Sequence, residues 1–414
     1  MRFLFLTQYY PPEIGAPQVR LSAMTRQLQA SGHRVEVVTA VPNHLSGAIF
    51  PGYEGQCYVR EEIDGVVVHR VWMYAATGAG AKRLMSYLSF MITCLYGLAR
   101  STRPDYLFVE SPPLFLSLPA FIASRVWNVP FIFNVADLWP DSAEALGIVT
   151  NKLVLRIARS LELWTYRKAE IVNAVTEGIR DTLVAVKGVD PHRVMFLPNG
   201  VDIDLFSPRR PDLELQRRFN CRDRATFLYA GTHGYAQGLE VIMQAALQLR
   251  NQAVTFIFVG DGPAKAQLIR VKEAHSLSNV VFADAEPLTR MPAYYSIATA
   301  AIVTLRDISL FRGARPSKIF PAFASGIPVI YSGRGEGARL VEATQSGIVT
   351  PPEDADALSA SIMELVRNPD FAHELGWNAR KYVSENMAWP SIIDNWLREL
   401  AHHGYRRAGG TGSN

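Results

Sequence analysis

The chain has 414 residues, beyond the size at which a single core keeps growing, so two domains are expected. Apolar residues make up 49% of it and charged residues 19%, which excludes a disordered protein and leaves room for a membrane-contacting face. A net charge of +4 without dense Lys/Arg blocks argues against nucleic acid, and three scattered cysteines (Cys57, Cys94, Cys221) offer neither a disulfide framework nor a zinc spacing.

The start, MRFLFLTQYYPPE, is too short an apolar run for a signal peptide and reads as a first strand over 3–7, followed by a helix over 17–31. Further apolar runs at 35–39, 106–110, 131–135 and 171–175 alternate with amphipathic segments, the pattern of a doubly wound α/β domain with a parallel sheet. Residues 58–73 differ, because Asp64-Gly65 between two strand-like runs predicts a hairpin. Residues 84–99 form sixteen residues without a charge, preceded by Lys82-Arg83 and followed by Arg100. That falls short of the roughly 20 residues that span a bilayer and fits a core helix or an interfacial one, with 112–124 adding apolar surface.

A polar stretch over 207–224 reads as a linker, after which the pattern restarts with strands at 226–231, 255–262, 279–284 and 300–305 and a helix over 238–250. Two α/β units are therefore expected, 1–206 and 207–388, with ligands bound beyond the strand ends in a cleft between them. The amphipathic segment 389–400 follows the second unit and is expected to cross back, as 389–408, to the first; the tail GGTGSN reads as disordered.

Four glycine-bearing turns follow strands: EIGAPQ (13–18), GTHGYAQG (231–238), GDGPAK (260–265) and GRGEGAR (333–339). Each can expose backbone N–H groups to a phosphate or a sugar hydroxyl, although a single one is as readily a plain tight turn; none matches the dinucleotide or P-loop pattern. In RPSK (315–318), Pro316 can start a helix, Ser317 can cap it and Lys318 can place an ammonium there, a diphosphate receptor in outline, or else simply a helix start with a solvated lysine. Pro321 lies inside that helical run, where proline is costly unless it is near the start. Asp137 follows a strand end, the place from which an open sheet presents functional side chains. DID (202–204) and DAD (354–356) have the spacing of a metal-binding D-x-D, and DAD also reads as a helix N-terminus.

LPNGVDIDLF (197–206) closely resembles the P-N-G-V-D-x-x-x-F signature of family 4 GT-B glycosyltransferases, and similar landmarks extend over nearly the whole chain. PPEIGAPQVR, DLWPDSAEALG, AQGLE and PSKIF are similar to the bacterial branch of O-antigen N-acetyl-L-fucosamine-type transferases. The resemblance implies a GT-B fold of two Rossmann-like domains facing a central cleft, an acceptor-binding N-terminal domain and a C-terminal domain for the nucleotide-diphosphate sugar. It further implies metal-independent, cofactor-free transfer with retention in cell-surface glycan synthesis. The acceptor is lipid-linked or a polysaccharide, and the location is the cytoplasm or the inner face of the plasma membrane.

Donor-binding candidates are then Gly15, Ala16, Gly231, Thr232, Gly260, Asp261, Gly262, Arg315, Ser317, Lys318 and Glu336, with Asp137 and Lys318 as catalytic candidates. The chain departs from the family pattern at several points. Gly313 and Pro321 stand where the family has two glutamates eight positions apart, the second for the donor ribose. Thr232 and Gln237 replace an arginine and a lysine, and Arg339 replaces a glutamate. A catalytically inactive binding or scaffold member is the alternative these departures raise; an unrelated Rossmann-type oxidoreductase or epimerase lacks a dinucleotide fingerprint.

Overall fold

Short runs that are apolar at every position become strands covered on both faces, which is how a parallel sheet sandwiched between helices reads in sequence. The computed structural model describes residues 1–13, 15–43, 47–76 and 80–409. Ile14 of the first glycine-bearing turn and most of the GGTGSN tail lie outside them. The chain divides into two units, one made of residues 1–199 and 389–414, the other of residues 200–388.

The first unit holds eight strands: β1 Arg2–Leu6, β2 Arg34–Ala40, β3 Tyr58–Ile63, β4 Val66–Val71, β5 Tyr106–Ser111, β6 Phe131–Val135, β7 Ile171–Ala174 and β8 Val194–Phe196. Their order in the sheet is β3-β4-β2-β1-β5-β6-β7-β8. All neighbours are parallel except β3 and β4, the hairpin foreseen at Asp64-Gly65, whose two turn residues have φ of 50° and 81° as a tight hairpin of this hand requires. β8 is only three residues long, too short for a periodicity signal, and was not foreseen.

The second unit holds six parallel strands: β9 Ala225–Ala230, β10 Val254–Val259, β11 Val280–Ala283, β12 Ala300–Thr304, β13 Val329–Ser332 and β14 Gly347–Thr350. They are ordered β11-β10-β9-β12-β13-β14. The order reverses between β9 and β12, so the turns that follow these two strands run to opposite faces and leave a crevice at their carboxyl ends. Each unit is thus a Rossmann-like, doubly wound α/β layer.

Helix Trp389–Gly409 packs on the first unit although it follows the second in sequence. Its anchor is Trp396, which is fully buried, lies 5.8 Å from Phe3 and 6.1 Å from Phe108 between ring centroids, and donates its indole N–H to Asn173 Oδ1 at 3.3 Å. A large ring and a satisfied polar handle together fix the helix to β1, β5 and β7.

Helix Ala81–Arg100 contains the uncharged segment. Phe90, Cys94 and Leu98 recur every four residues on its buried face, whereas Leu84, Met85, Ile92, Leu95 and Tyr96 are exposed on the other. Among the described residues no helix is long and apolar enough to cross a membrane.

Trp396→Ala should destabilise the first unit by about 3–5 kcal/mol through loss of its packing. Replacing the exposed Trp377 should change stability by less than about 0.5 kcal/mol. Urea unfolding followed by circular dichroism compares the two; equal effects would show that the last helix is not anchored through Trp396.

Candidate functional site

The turn after β9 is drawn tightly against the turn after β10. Gly231 N–H donates to Val259 O at 2.9 Å, His233 N–H to Asp261 O at 2.8 Å and Ala264 N–H to His233 O at 2.9 Å. A Cβ at Gly260 would lie 2.1 Å from Gly231 O and one at Gly262 would lie 2.5 Å from His233 O, so only glycine allows the two turns to touch. The turns foreseen from sequence as separate features are therefore one structure, and it holds Gly231, Thr232, Gly260, Asp261 and Gly262 together. Asp261 closes its own turn by accepting from Gly262 N–H at 2.8 Å.

Lys318 reaches this structure from the segment after β12. Its Nζ lies 3.4 Å from where a Cβ on Gly231 would be and donates to Tyr229 Oη at 2.6 Å; Tyr229 in turn donates to Thr232 O at 2.6 Å. The ammonium also stands 4.2 Å from the centroid of the Tyr229 ring. No ion pair to Lys318 exists among the described residues, and desolvation lowers its pKa from 10.5 to about 7. A lysine poised near neutrality under a glycine turn gains much from an arriving anion, because the anion supplies the countercharge that the protein withholds.

The expected cap at this segment is not formed. The helix after β12 runs over Ile319–Ala324, with Lys318 at the N-cap position and no side-chain cap; the Ser317 carbonyl, not its hydroxyl, engages the turn by accepting from Phe320 N–H at 3.2 Å. Pro316 and Ser317 therefore precede the helix. Ile319 is the first helical residue, which makes Pro321 the third, and the first four N–H groups of a helix have no intrahelical partner. Proline's missing N–H removes nothing there, so the residue is tolerated without a kink. With only six residues the helix contributes little dipole, and the lysine is the main charge at this end.

Arg315 and Glu336 form an ion pair, with Nε and Oε1 3.7 Å apart and both side chains about nine-tenths buried. Glu336 opens helix Glu336–Ala343 after β13. Gln237 folds back over Gly234, and the basic group beside this turn is Arg306, which binds Tyr235 O at 2.7 Å and pairs with Glu240 and Glu353 at 3.1 Å each. Tyr229, His233 and Arg306 escaped the sequence reading: Tyr229 is one aromatic in a core strand, and nothing local shows that its hydroxyl meets Lys318.

In the first unit, Gly15 and Ala16 open helix Ala16–Ala30, with Gly15 at the N-cap and Gln18 Oε1 occupying the space beside it. Asp137 lies two residues beyond β6 and accepts from Ser142 Oγ at 2.7 Å. Its side chain keeps solvent contact while the surrounding protein raises its pKa by desolvation, with Asp141 adding to the effect. Asp202, the first residue of DID, accepts from the N–H groups of Asp204 and Leu205, and Asp354 caps helix Ala355–Arg367 through Ala357 N–H at 2.9 Å. Both aspartates thus organise local backbone.

Two Rossmann-like units, the second with paired glycine turns and a lysine at its switch point, are the architecture of a GT-B glycosyltransferase, and with both halves matching glycosyltransferase families the chain belongs to that class. Residues 15–200 match the glycosyl transferase 4-like domain and residues 214–382 the glycosyl transferases group 1 family. The chain is 25% identical over 418 residues to the Escherichia coli (strain K12) "Putative colanic acid biosynthesis glycosyl transferase WcaI", covering 97% of this chain and 100% of that one. Among solved structures, sucrose-phosphate synthase from Thermosynechococcus elongatus superposes with a TM-score of 0.76 at 16% identity, covering 99% of this chain and 100% of that one. Anabaena HepE in complex with UDP-glucose gives 0.74 at 17% identity, covering 97% and 100%.

His233 sits in the turn beneath Lys318, fully buried, with neither ring nitrogen partnered among the described residues. Desolvation, reinforced by the ammonium groups of Lys265 and Lys318, lowers its pKa from 6.5 to about 4. The native state therefore resists a proton that the unfolded chain accepts, and stability is lost as pH falls from 6.5 to 4, by about 3 kcal/mol. His233→Phe should flatten this part of the pH–stability profile in denaturant titrations; parallel profiles for the two proteins would refute the assignment.

Proposed function

We propose that the protein is a retaining, metal-independent glycosyltransferase. It moves a hexosyl or N-acetylhexosaminyl group from a nucleotide-diphosphate sugar to a lipid-linked or polysaccharide acceptor in cell-surface glycan synthesis, at the inner face of the plasma membrane. The observation that carries this reading is the Lys318 ammonium, desolvated and without an ion pair among the described residues, 3.4 Å from the Cβ position of Gly231. The colanic acid name of the Escherichia coli relative and the UDP-glucose bound by HepE support the substrate classes.

In this reading the second unit binds the donor through the turns at Gly231, Thr232, Gly260, Asp261 and Gly262 and through Arg315, Ser317, Lys318 and Glu336. Gly15 and Ala16 of the first unit offer the N–H groups of a helix start, and Asp137 orients the acceptor hydroxyl. The bond from sugar C1 to the diphosphate oxygen breaks with its electron pair leaving on the diphosphate. The acceptor oxygen bonds to C1 on the same face, and its proton passes to the departing phosphate oxygen. Charge builds on the diphosphate as this happens, so a prepositioned ammonium in desolvated surroundings stabilises the transition state more than the ground state.

Gly313 and Pro321 favour a second reading, a nucleotide-binding member without transferase activity, because no carboxylate of the usual pair is present at those positions. Calorimetry with UDP, GDP and dTDP, followed by sugar-release assays on the matching sugar nucleotides, separates the two. Binding with release supports the transferase; binding without release across all donors selects the second reading; no nucleotide binding removes both.

Lys318 gives this test a signature of its own. In the free protein its pKa is about 7, and a bound diphosphate must raise it. Nucleotide binding at pH 8 should therefore take up close to one proton per site, read from calorimetry in buffers of different ionisation enthalpy, and affinity should fall as pH rises above 7. Lys318→Met should abolish the uptake and lower kcat by roughly 100-fold or more. Proton uptake unchanged in the variant would rule out the role.

The lipid-linked acceptor is favoured by the outer face of helix Ala81–Arg100, where Ile92 is 63% exposed and Met85 54%, continued by Ile122 and Val126 of helix Ser117–Trp127. Lys82, Arg100 and Arg125 flank this surface with positive charge. Vesicles containing phosphatidylglycerol should co-sediment with the protein more strongly than pure phosphatidylcholine vesicles, and Met85→Glu with Ile92→Glu should abolish the difference. Equal sedimentation of variant and parent would point the acceptor reading to a soluble polysaccharide.

A further inference from the structure

Asp137 sits beyond β6 on a turn that the backbone itself closes. Its carbonyl accepts from Trp139 N–H at 3.0 Å, and Ser142 N–H donates to Leu138 O at 2.9 Å. We propose that Ser142 is a positioning residue for the acceptor: its hydroxyl clamps Asp137 Oδ2 and fixes the direction from which this carboxylate meets an acceptor hydroxyl. The inference rests on the reading that Asp137 orients the acceptor.

A serine in the first turn of a helix ordinarily bonds to nearby backbone. Ser142, the second residue of helix Asp141–Ala145 and 5% exposed, instead donates its only hydroxyl proton to Asp137 Oδ2 at 2.7 Å. A buried side chain thus spends its proton on a carboxylate at the surface. The helix start that carries Ser142 is itself pinned. Lys187, from the turn after helix Glu177–Ala185, donates to Asp141 Oδ2 at 2.6 Å and to Glu162 Oε2 at 2.8 Å, and Arg159 Nε donates to Asp141 Oδ1 at 3.2 Å. Glu162 lies in helix Lys152–Lys168 with a fully buried side chain, and its other oxygen accepts from Tyr166 Oη at 3.0 Å. Ser142 therefore reaches Asp137 from a frame built by three segments of the first unit.

The same frame manages charge. A carboxylate accepts a bond from an acceptor hydroxyl, whereas a protonated carboxyl offers a proton instead. Desolvation raises the proton affinity of Asp137 and Asp141 adds to it, while the Ser142 hydroxyl and the Leu138 N–H lower it. Lys187 and Arg159 offset the charge of Asp141; Glu162 shares Lys187, Glu144 shares Arg159, and Tyr166 is the remaining titratable group facing this cluster. Neither cation pairs with Asp137, so among the described residues Ser142 is the side chain that supports its charged form.

The test is heteronuclear NMR of the full chain with labelled aspartate carboxyl carbons, following the Asp137 signal through a pH titration; Asp137→Asn identifies that signal. The midpoint should lie higher in Ser142→Ala than in the parent and return in Ser142→Thr, whose hydroxyl can make the same bond. In sugar release from the donor, where water takes the place of the acceptor, Ser142→Ala should lower kcat about fivefold with the donor KM unchanged and move the acidic limb to higher pH, and Ser142→Thr should restore both. An unmoved midpoint, or a moved midpoint with kcat and the acidic limb unchanged, overturns the proposal. The NMR titration needs no turnover, and UDP should bind Ser142→Ala as it binds the parent chain, so failure here is distinguishable from failure of the transferase reading.

Discussion

The Lys318 ammonium held against Tyr229 beneath the Gly231 turn is the contact on which the chemistry of the second unit depends. It joins the two central strands of the unit functionally, because Tyr229 is the penultimate residue of β9 and Lys318 lies in the segment after β12, the pair between which the strand order reverses. The tyrosine hydroxyl holds the amine by accepting from it and relays the restraint to Thr232 O, so the lysine's position is set by the sheet and not by a flexible loop. Desolvation and, among the described residues, the lack of a carboxylate partner then make the site receptive to negative charge.

The glycine turns around that lysine work through excluded volume as much as through exposed N–H groups. Gly260 and Gly262 let the β10 turn lie directly on the β9 turn, which brings His233 into an apolar setting of Tyr229, Phe258 and Phe282. The imidazole is kept neutral there, so it adds no positive charge to compete with Lys318.

Much of the fold was readable because its strands are apolar at every position and its helices are amphipathic, two patterns that burial imposes directly on composition. The hairpin at Asp64-Gly65 was readable because its turn needs residues that adopt positive φ. Strand β8 was missed because three residues carry no period. At the site, the glycine turns and RPSK were visible as local motifs, but the expected Ser317 cap was not formed. A capping residue can be recognised in sequence only if the helix begins where the pattern says, and here the helix begins one residue later, with Lys318 and not Ser317 at the N-cap.

Sequence alone determined the alternation of strands and helices, the two-unit organisation and the residue types available for phosphate recognition, since these follow from periodicity, glycine placement and charge. It also posed the question of Pro321, whose cost depends entirely on its distance from the helix start. Tertiary structure decided that distance, and with it that the proline replaces a side chain without disturbing a hydrogen bond. It also decided that Lys318 meets Tyr229, 89 positions earlier in the chain, and that Lys187 meets Asp141, 46 positions earlier. Such contacts depend on which strands become neighbours in the sheet, and strand order is set by the packing of the whole unit rather than by any local run of residues.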